Sequence, residues 1–303
     1  MTHDPFKIIN SPFGLNLAYM IGRYTPNGLG HRIALFAADR ISARKSWKMV
    51  RATRCNQLVM RGENLDQSAL DEIVCENFRS TARSIFDLYH NINNPKVFTQ
   101  IIEAHPIAEQ ILQRPEYAER GLVVAGLHMS SFDFIIQASG MAGVKAMILG
   151  LPNLNPGYQK QLEMRREKGL NIVSASTAAI KQAVRYLRDG GTVMTGIDRP
   201  DESYPYHPLF FGRPASLPVH HIFMALKAQV PVLVGSVIWQ PDGRYHFLFS
   251  EPIEMQPHPN RQTEILLNAE NVLHVAEDFI RQYPSQWAMT FPVWPEAMDQ
   301  VPE

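Results

Sequence analysis

The stretch Gly121-Leu-Val-Val-Ala-Gly-Leu-His128-Met-Ser-Ser-Phe-Asp133-Phe134 decides how this chain is read. Residues 121–127 form a short, almost wholly apolar run, the pattern of a strand buried on both faces. The run ends at His128. Ser130 and Ser131 follow, either able to cap a helix, and Phe132, Ile135 and Ile136 then recur at helical spacing. The unit is strand–turn–helix with a polar cluster at the carboxyl end of the strand, where open α/β sheets keep their sites.

That spacing has a chemical consequence. Asp133 falls in the first turn of the expected helix, where the positive end of the helix dipole favours a carboxylate. From there it is expected to reach back to His128, fix the imidazole tautomer and leave the other nitrogen free as a base. No Ser or Cys nucleophile is needed. The arrangement suits deprotonation of an acceptor hydroxyl that is itself the nucleophile. The bare pattern is weak evidence, because 11 His and 29 acids in 303 residues predict about one chance match. A second match, His246…Glu251, lies in a continuous strand pattern, where an odd offset puts the side chains on opposite faces roughly 17 Å apart. Only the His128 context bends the chain.

Composition narrows the classes. The chain has 45% apolar residues, enough for a sizeable core, and its formal charge is zero, so no basic footprint for nucleic acid is present. Two cysteines, Cys55 and Cys75, make neither a disulfide framework nor a metal pattern. The histidines include no His-x3-His pair, and His220-His221 diverge around a helix, so no metal site is expected. No run approaches the ~18 apolar residues of a membrane span, and the start lacks a signal-peptide layout. The expectation is a cytoplasmic chain.

Before residue 115 the pattern is helical, over 11–24, 29–44, 66–92 and 98–112. Arg40, Arg44, Lys45, Lys48, Arg51 and Arg54 interleave with Trp47 and Met49. Such a basic amphipathic stretch either lies on an anionic membrane surface or forms a solvated edge of a helical hairpin. From 116 onward strands and helices alternate. Strands are expected at 121–127, 145–150, 171–174, 192–197, 231–239 and 244–250, and helices at 132–142, 156–168, 177–189, 217–229 and 261–282. This order predicts an α/β fold, a mostly parallel sheet flanked by helices, with residues 1–115 as a helical extension packed on a core of 116–303.

Further clusters fall at element ends: Asn155-Pro156 with Arg165-Arg166-Glu-Lys-Gly169, then Asp198-Arg199-Pro200, then Phe210-Phe-Gly-Arg213-Pro214-Ala, then Val230-Pro-Val-x-Val and Asp242-Gly-Arg-Tyr245. Taken alone, Arg165 and Arg166 read equally well as cations complementing a helix C-terminus, and Phe-Phe-Gly-Arg-Pro as a structural turn. In order, with Leu-His-Met-Ser-Ser-Phe-Asp, they resemble the bacterial lipid A late acyltransferase family. Its relatives include the phosphatidylinositol mannoside acyltransferases and the wider lysophospholipid acyltransferase group. The likeness runs over about residues 11–294.

The resemblance implies transfer of a fatty acyl group from acyl-carrier protein or acyl-coenzyme A, as co-substrate, to a hydroxyl of a lipid or glycolipid, with no permanently bound cofactor. It implies His128 as the base, Asp133 as its orienting acid, and Asp198 and Arg199 positioning the acceptor head group or supporting the pair. Arg165 or Arg166 would bind phosphate or developing charge, and Arg213 would shape the mouth of the site. If these arginines converge beside His128, the acceptor bears phosphate. Amides near Ser130 and Ser131, or an arginine, are candidate oxyanion donors. The implied station is the inner face of the cell membrane, held peripherally. Unlike the lipid A enzymes, the chain shows no initial apolar span, and Tyr283-Pro-Ser-Gln-Trp-Ala-Met-Thr-Phe-Pro-Val-Trp294 has no basic residue after it, so the acceptor is left open. A catalytically silent lipid-binding protein is the competing class. A Ser hydrolase would need a Gly-x-Ser-x-Gly elbow, which the sequence lacks.

Overall fold

The computed structural model describes residues 12–62, 65–92, 94, 100–103, 120–129, 132–133, 136, 146–150, 156–167 and 169–302. Four helices come first: α1 Pro12–Tyr24, α2 Asn27–Ser42, α3 Lys48–Arg61 and α4 Gln67–Asn91. Then follow β1 Ile102–Glu103, β2 Leu122–Gly126, β3 Ala146–Gly150, α5 Pro156–Glu167, β4 Asn171–Ser174, α6 Thr177–Arg188 and β5 Thr192–Gly196. A short hairpin, β6 Leu209–Phe210 with β7 Arg213–Pro214, precedes α7 His220–Ala228, β8 Val232–Trp239, β9 Tyr245–Phe249 and α8 Arg261–Gln282.

Among the described residues, seven strands make one sheet in the order β1-β9-β8-β2-β5-β3-β4. Every neighbouring pair is parallel except β8 with β9. The apolar strands alternate between two cores. Val123, Ala125, Met147, Leu149 and Val193 face a cluster with Ala179, Leu187, Ile222, Ala225 and Ile265 of α6, α7 and α8. Val124, Ile148, Met194 and Val237 face the opposite way, toward Leu88 of α4 and Leu162 of α5. Both sheet faces are therefore covered, which is why strands with no polar face are stable here. The mostly parallel α/β architecture with a helical extension is as the alternating pattern requires.

The helical extension is threaded into the core by polar side chains. The Asn56 amide donates to the Met289 and Phe291 carbonyls at 3.0 and 2.8 Å and accepts from Val293 N at 3.0 Å. Asn77 donates to the Trp287 carbonyl at 2.7 Å. Each such bond contributes about 1 kcal/mol net, and leaving a buried partner unpaired costs about 1–3 kcal/mol. α3 and α4 thus fix the position of the carboxyl-terminal segment around Trp287. On the outside, α2 approaches α4 so closely at Gly30 that an added Cβ would lie 2.0 Å from the Phe86 ring.

Two sequence expectations change. The helix expected over 98–112 gives way at Ile102–Glu103 to a strand beside Tyr245–His246, because the open edge of β9 offers backbone partners there; residues 104–112 lie outside the described residues, as does the expected boundary near 115. The basic stretch 40–54 is part solvated and part anchored: Arg40, Arg44, Lys48 and Arg51 are exposed. Fully buried Arg54 and Lys45 share Asp71, and Arg51 donates to the Met298 carbonyl at 3.3 Å. The helix expected from 217 starts at His220. Most of the expected helix 132–142 falls outside the described residues.

Candidate active site

β2 and β5 are parallel neighbours with Gly126 level with Gly196. The pairing continues one step, Ile197 N donating to Gly126 O at 3.1 Å. One residue further along both chains, His128 and Asp198 stand side by side. His128 Nδ1 lies 2.6 Å from Asp198 Oδ1, and His128 N donates to Asp198 Oδ2 at 2.9 Å. The Trp287 indole N–H donates to the same Oδ2 at 2.9 Å. The carboxyl-terminal segment locks this corner through a bridge between Met129 and Trp287 and a 2.8 Å bond from Ala288 N to His128 O.

Asp198 is 0% exposed and both its oxygens are engaged, whereas the His128 side chain is 23% exposed. Burial by itself pushes the Asp198 carboxyl up. The charge and hydrogen bond of His128, the indole N–H and the His128 backbone N–H outweigh burial and hold it below the ordinary carboxyl range. Its contribution to stability is therefore present above the unfolded value of about 3.9 and is lost as pH falls through the lower folded value. At neutral pH Asp198 is a carboxylate that accepts a hydrogen bond from Nδ1–H, a tautomer that leaves Nε2 as the lone-pair nitrogen. No described residue bonds Nε2.

The ring is seated by its neighbours. Phe132 lies against it at 4.8 Å between centroids. Beneath it is Gly196, where a Cβ would come within 2.8 Å of His128 Cε1. The strand bearing Gly196 is braced from the core by His220, whose Nε2 is 2.6 Å from Thr195 Oγ1 and whose Nδ1 is 3.1 Å from the Tyr204 hydroxyl. Burial draws the His220 pKa down to about 4, so it stays neutral.

Asp133 does not reach back to His128. It forms an ion pair with Arg165 in the last turn of α5. The reason is competition. A buried carboxylate two residues past the adjacent strand already satisfies Nδ1, and a guanidinium is the stronger partner for the acid on the following turn. The other three arginines each meet a different neighbour. Arg166 turns back on β4 and donates to the Ile172 carbonyl at 3.1 and 2.9 Å. Arg199 lies over the Phe291 ring, 4.1 Å from its centroid. Arg213 is close enough to Cys55 to act on its thiol, which burial chiefly raises to about 11. Ser130 and Ser131 lie outside the described residues. His246 meets Glu103 at 3.2 Å rather than Glu251.

Sequence reasoning missed Trp287 and Gly196, and it placed Asp198 in a secondary role. A signal was available: Gly126-Leu-His128 and Gly196-Ile-Asp198 end two predicted strands in the same way. Using it required knowing that those strands are neighbours. Among the described residues no three His, Cys, Asp or Glu side chains gather as a metal site would require.

A half-buried, oriented imidazole at the carboxyl edge of a parallel sheet can take a proton from a bound hydroxyl, which is the chemistry that the ordered clusters imply. A search of curated proteins finds no match to this chain. The family described as bacterial lipid A biosynthesis acyltransferase, however, matches residues 24–295, so on both motif order and extent the chain belongs to that acyltransferase family.

Proposed function

We propose that the protein transfers a fatty acyl group from an acyl-carrier protein or coenzyme A thioester to a hydroxyl of a phosphate-bearing lipid or glycolipid, with His128 as general base. The observation that carries this reading is the His128–Asp198 pair, in which no described residue bonds Nε2. Nε2 removes the hydroxyl proton as the oxygen attacks the thioester carbonyl. Asp198 stabilises the imidazolium that forms. The tetrahedral oxyanion collapses, the C–S bond breaks, and the imidazolium returns its proton to the departing thiolate. A thioester is already activated, so the protein's part is alignment, general-base help worth about 10²–10⁴, and oxyanion stabilisation. Asp133 holds Arg165 for the acceptor phosphate or the oxyanion.

In this reading the protein works at the cytoplasmic face of the membrane. No helix of the described residues is long and apolar enough to cross a bilayer. α1 and α2 instead present Phe13, Leu17, Met20, Tyr24, Leu29 and Phe36, between 48% and 71% exposed. Arg23 lies over Tyr19 and Tyr24, and Arg40 over Phe36. Apolar side chains flanked by arginines suit the boundary between acyl chains and anionic head groups.

Incubation of the protein with acyl-carrier protein and coenzyme A thioesters and a bacterial lipid extract, followed by mass spectrometry, tests the proposal. The expected result is a phosphate-bearing lipid heavier by one acyl chain. Lipid binding without transfer would leave a silent binding protein. Release of free fatty acid alone would make it a hydrolase, and acylation of phosphate-free lipids only would remove the phosphate requirement.

A further inference from the structure

On the sheet face away from α5, α6 and α7 lie side by side and enclose an open groove of about 490 Å³. Its floor is apolar, formed by half-buried Ile180, Val184 and Phe223. Its rim is cationic, with Lys181, Arg185 and Arg188 on α6 and Lys227 on α7, all exposed. Neither helix contains an Asp or Glu, although the chain as a whole balances 29 basic against 29 acidic residues. Asp189, just past the end of α6, is the adjoining acid in sequence. Elsewhere on the surface arginines are paired, as in Arg79 with Asp39, Arg120 with Glu254 and Arg281 with Glu277. Among the described residues none of the four rim cations has a carboxylate within ion-pair distance, and Arg188 instead donates to the Lys227 carbonyl at 2.7 Å. Four like charges kept together repel one another, and a balanced surface would intersperse acids among them.

We propose that this groove is the docking surface for an acidic carrier protein that delivers the acyl chain as a thioester. The proposal rests on the acyl-transfer reading above and commits it to one donor. Lys181, Arg185 and Arg188 recur at i, i+4 and i+7, so they form a row about 10 Å long on one helix face. A row of cations beside an apolar trough complements an amphipathic helix with carboxylates along its flanks. The phosphates of a small nucleotide cluster at one point and would call for converging cations.

A bilayer is the poorer occupant. The apolar residues here are recessed between helices, whereas those of α1 and α2 protrude, and only protruding side chains enter a membrane. A recess accepts a partner that brings its own protruding residues. Position fits as well. Ser174 ends β4 and Thr177 starts α6, so the Thr177 end of the groove lies at the carboxyl edge of the sheet, the edge that carries His128 and Asp198. A flexible prosthetic arm from a docked carrier would approach the site along that edge.

The test compares donors carrying the same acyl chain on carrier protein and on coenzyme A. Lys181→Glu/Arg185→Glu is expected to raise the KM for the carrier-bound donor about tenfold or more and to leave kinetics with the coenzyme A donor within about twofold. The milder Lys181→Gln/Arg185→Gln variant, with circular dichroism as a check on folding, should move the same KM less. Titration of the wild type with holo-carrier protein should show binding that about 0.5 M salt abolishes. An equal KM rise for both donors, an unchanged carrier KM, or loss of anionic-vesicle binding in place of carrier binding would overturn the assignment. So would a wild type that uses coenzyme A thioesters and neither binds nor uses the carrier. Should the wild type transfer from neither donor, the acyl-transfer reading fails, while the titration still decides whether the groove binds the carrier.

Discussion

His128 with Asp198 and His246 with Glu103 bring the same two chemistries together in the middle and at the edge of one sheet. In the middle, side-chain exposures are 23% and 0%; at the edge they are 32% and 50%. Asp198 receives hydrogen bonds from an imidazole, an amide and an indole. Glu103 is shared with Arg244 at 2.8 Å and stands in water. The difference follows from strand position. β2 and β5 have neighbours on both sides, so residues just past their ends are walled in by adjoining strands and by the Trp287 segment. β1 has one neighbour, and its Glu103 side chain faces solvent. An exposed pair contributes about 0–1 kcal/mol and holds no fixed geometry. Enclosure, rather than pairing itself, fixes the direction of an imidazole.

The strongest way to break that comparison is His128→Ala. It is expected to lower acyl-transfer turnover by about a hundredfold or more with folding retained. Normal turnover in a folded variant would remove the base from the mechanism.

Next comes the choice between two acids. Asp198→Asn is expected to lower kcat by about a hundredfold, because the charge that stabilises the imidazolium is lost, and Asp133→Asn by about tenfold through Arg165. Steady-state kinetics of the two variants side by side decides this, and a larger loss in the Asp133 variant would return the orienting role to Asp133.

Gly196→Ala probes the seat of the ring without altering any polar group. A methyl 2.8 Å from Cε1 must push the imidazole aside. The expected loss is about tenfold in kcat, with about 1–3 kcal/mol of stability lost to overpacking. An unchanged kcat, read beside the thermal melt, would mean that ring placement is not limiting.

The smallest expected effect is His246→Ala. Turnover should stay within about twofold of wild type and stability within about 0.5 kcal/mol. A large fall would show that exposed edge pairs matter as much as enclosed ones.

Much of the fold was legible because its signals are local. The runs 121–127 and 192–197 are apolar without alternation, and the structure confirms strands at Leu122–Gly126 and Thr192–Gly196 that are buried on both faces. The α8 boundaries follow from a helical pattern opened by Asn260, whose side chain accepts from Thr263 N. Ile102–Glu103 misled because two residues in a helix-like context carry no strand signal; they become a strand only by finding the β9 edge. Within the basic stretch 40–54 the sequence could not tell anchored cations from solvated ones. The partners of Arg54 and Arg51, Asp71 and the Met298 carbonyl, are distant in the chain.

By itself the sequence determined the alternation of strands and helices, the polar turn at His128 and the motif order that marks an acyltransferase. Those are properties of neighbouring residues, set by side-chain periodicity and backbone preference. Which acid meets His128 was decided only by tertiary structure. Asp133 is five residues away and Asp198 seventy, yet parallel pairing of β2 with β5 in the Gly126–Gly196 register puts the distant acid at 2.6 Å. Chain separation says little about distance once strands pair out of chain order. The nearby acid, on its own turn of helix, was left to the arginine that α5 carries to it.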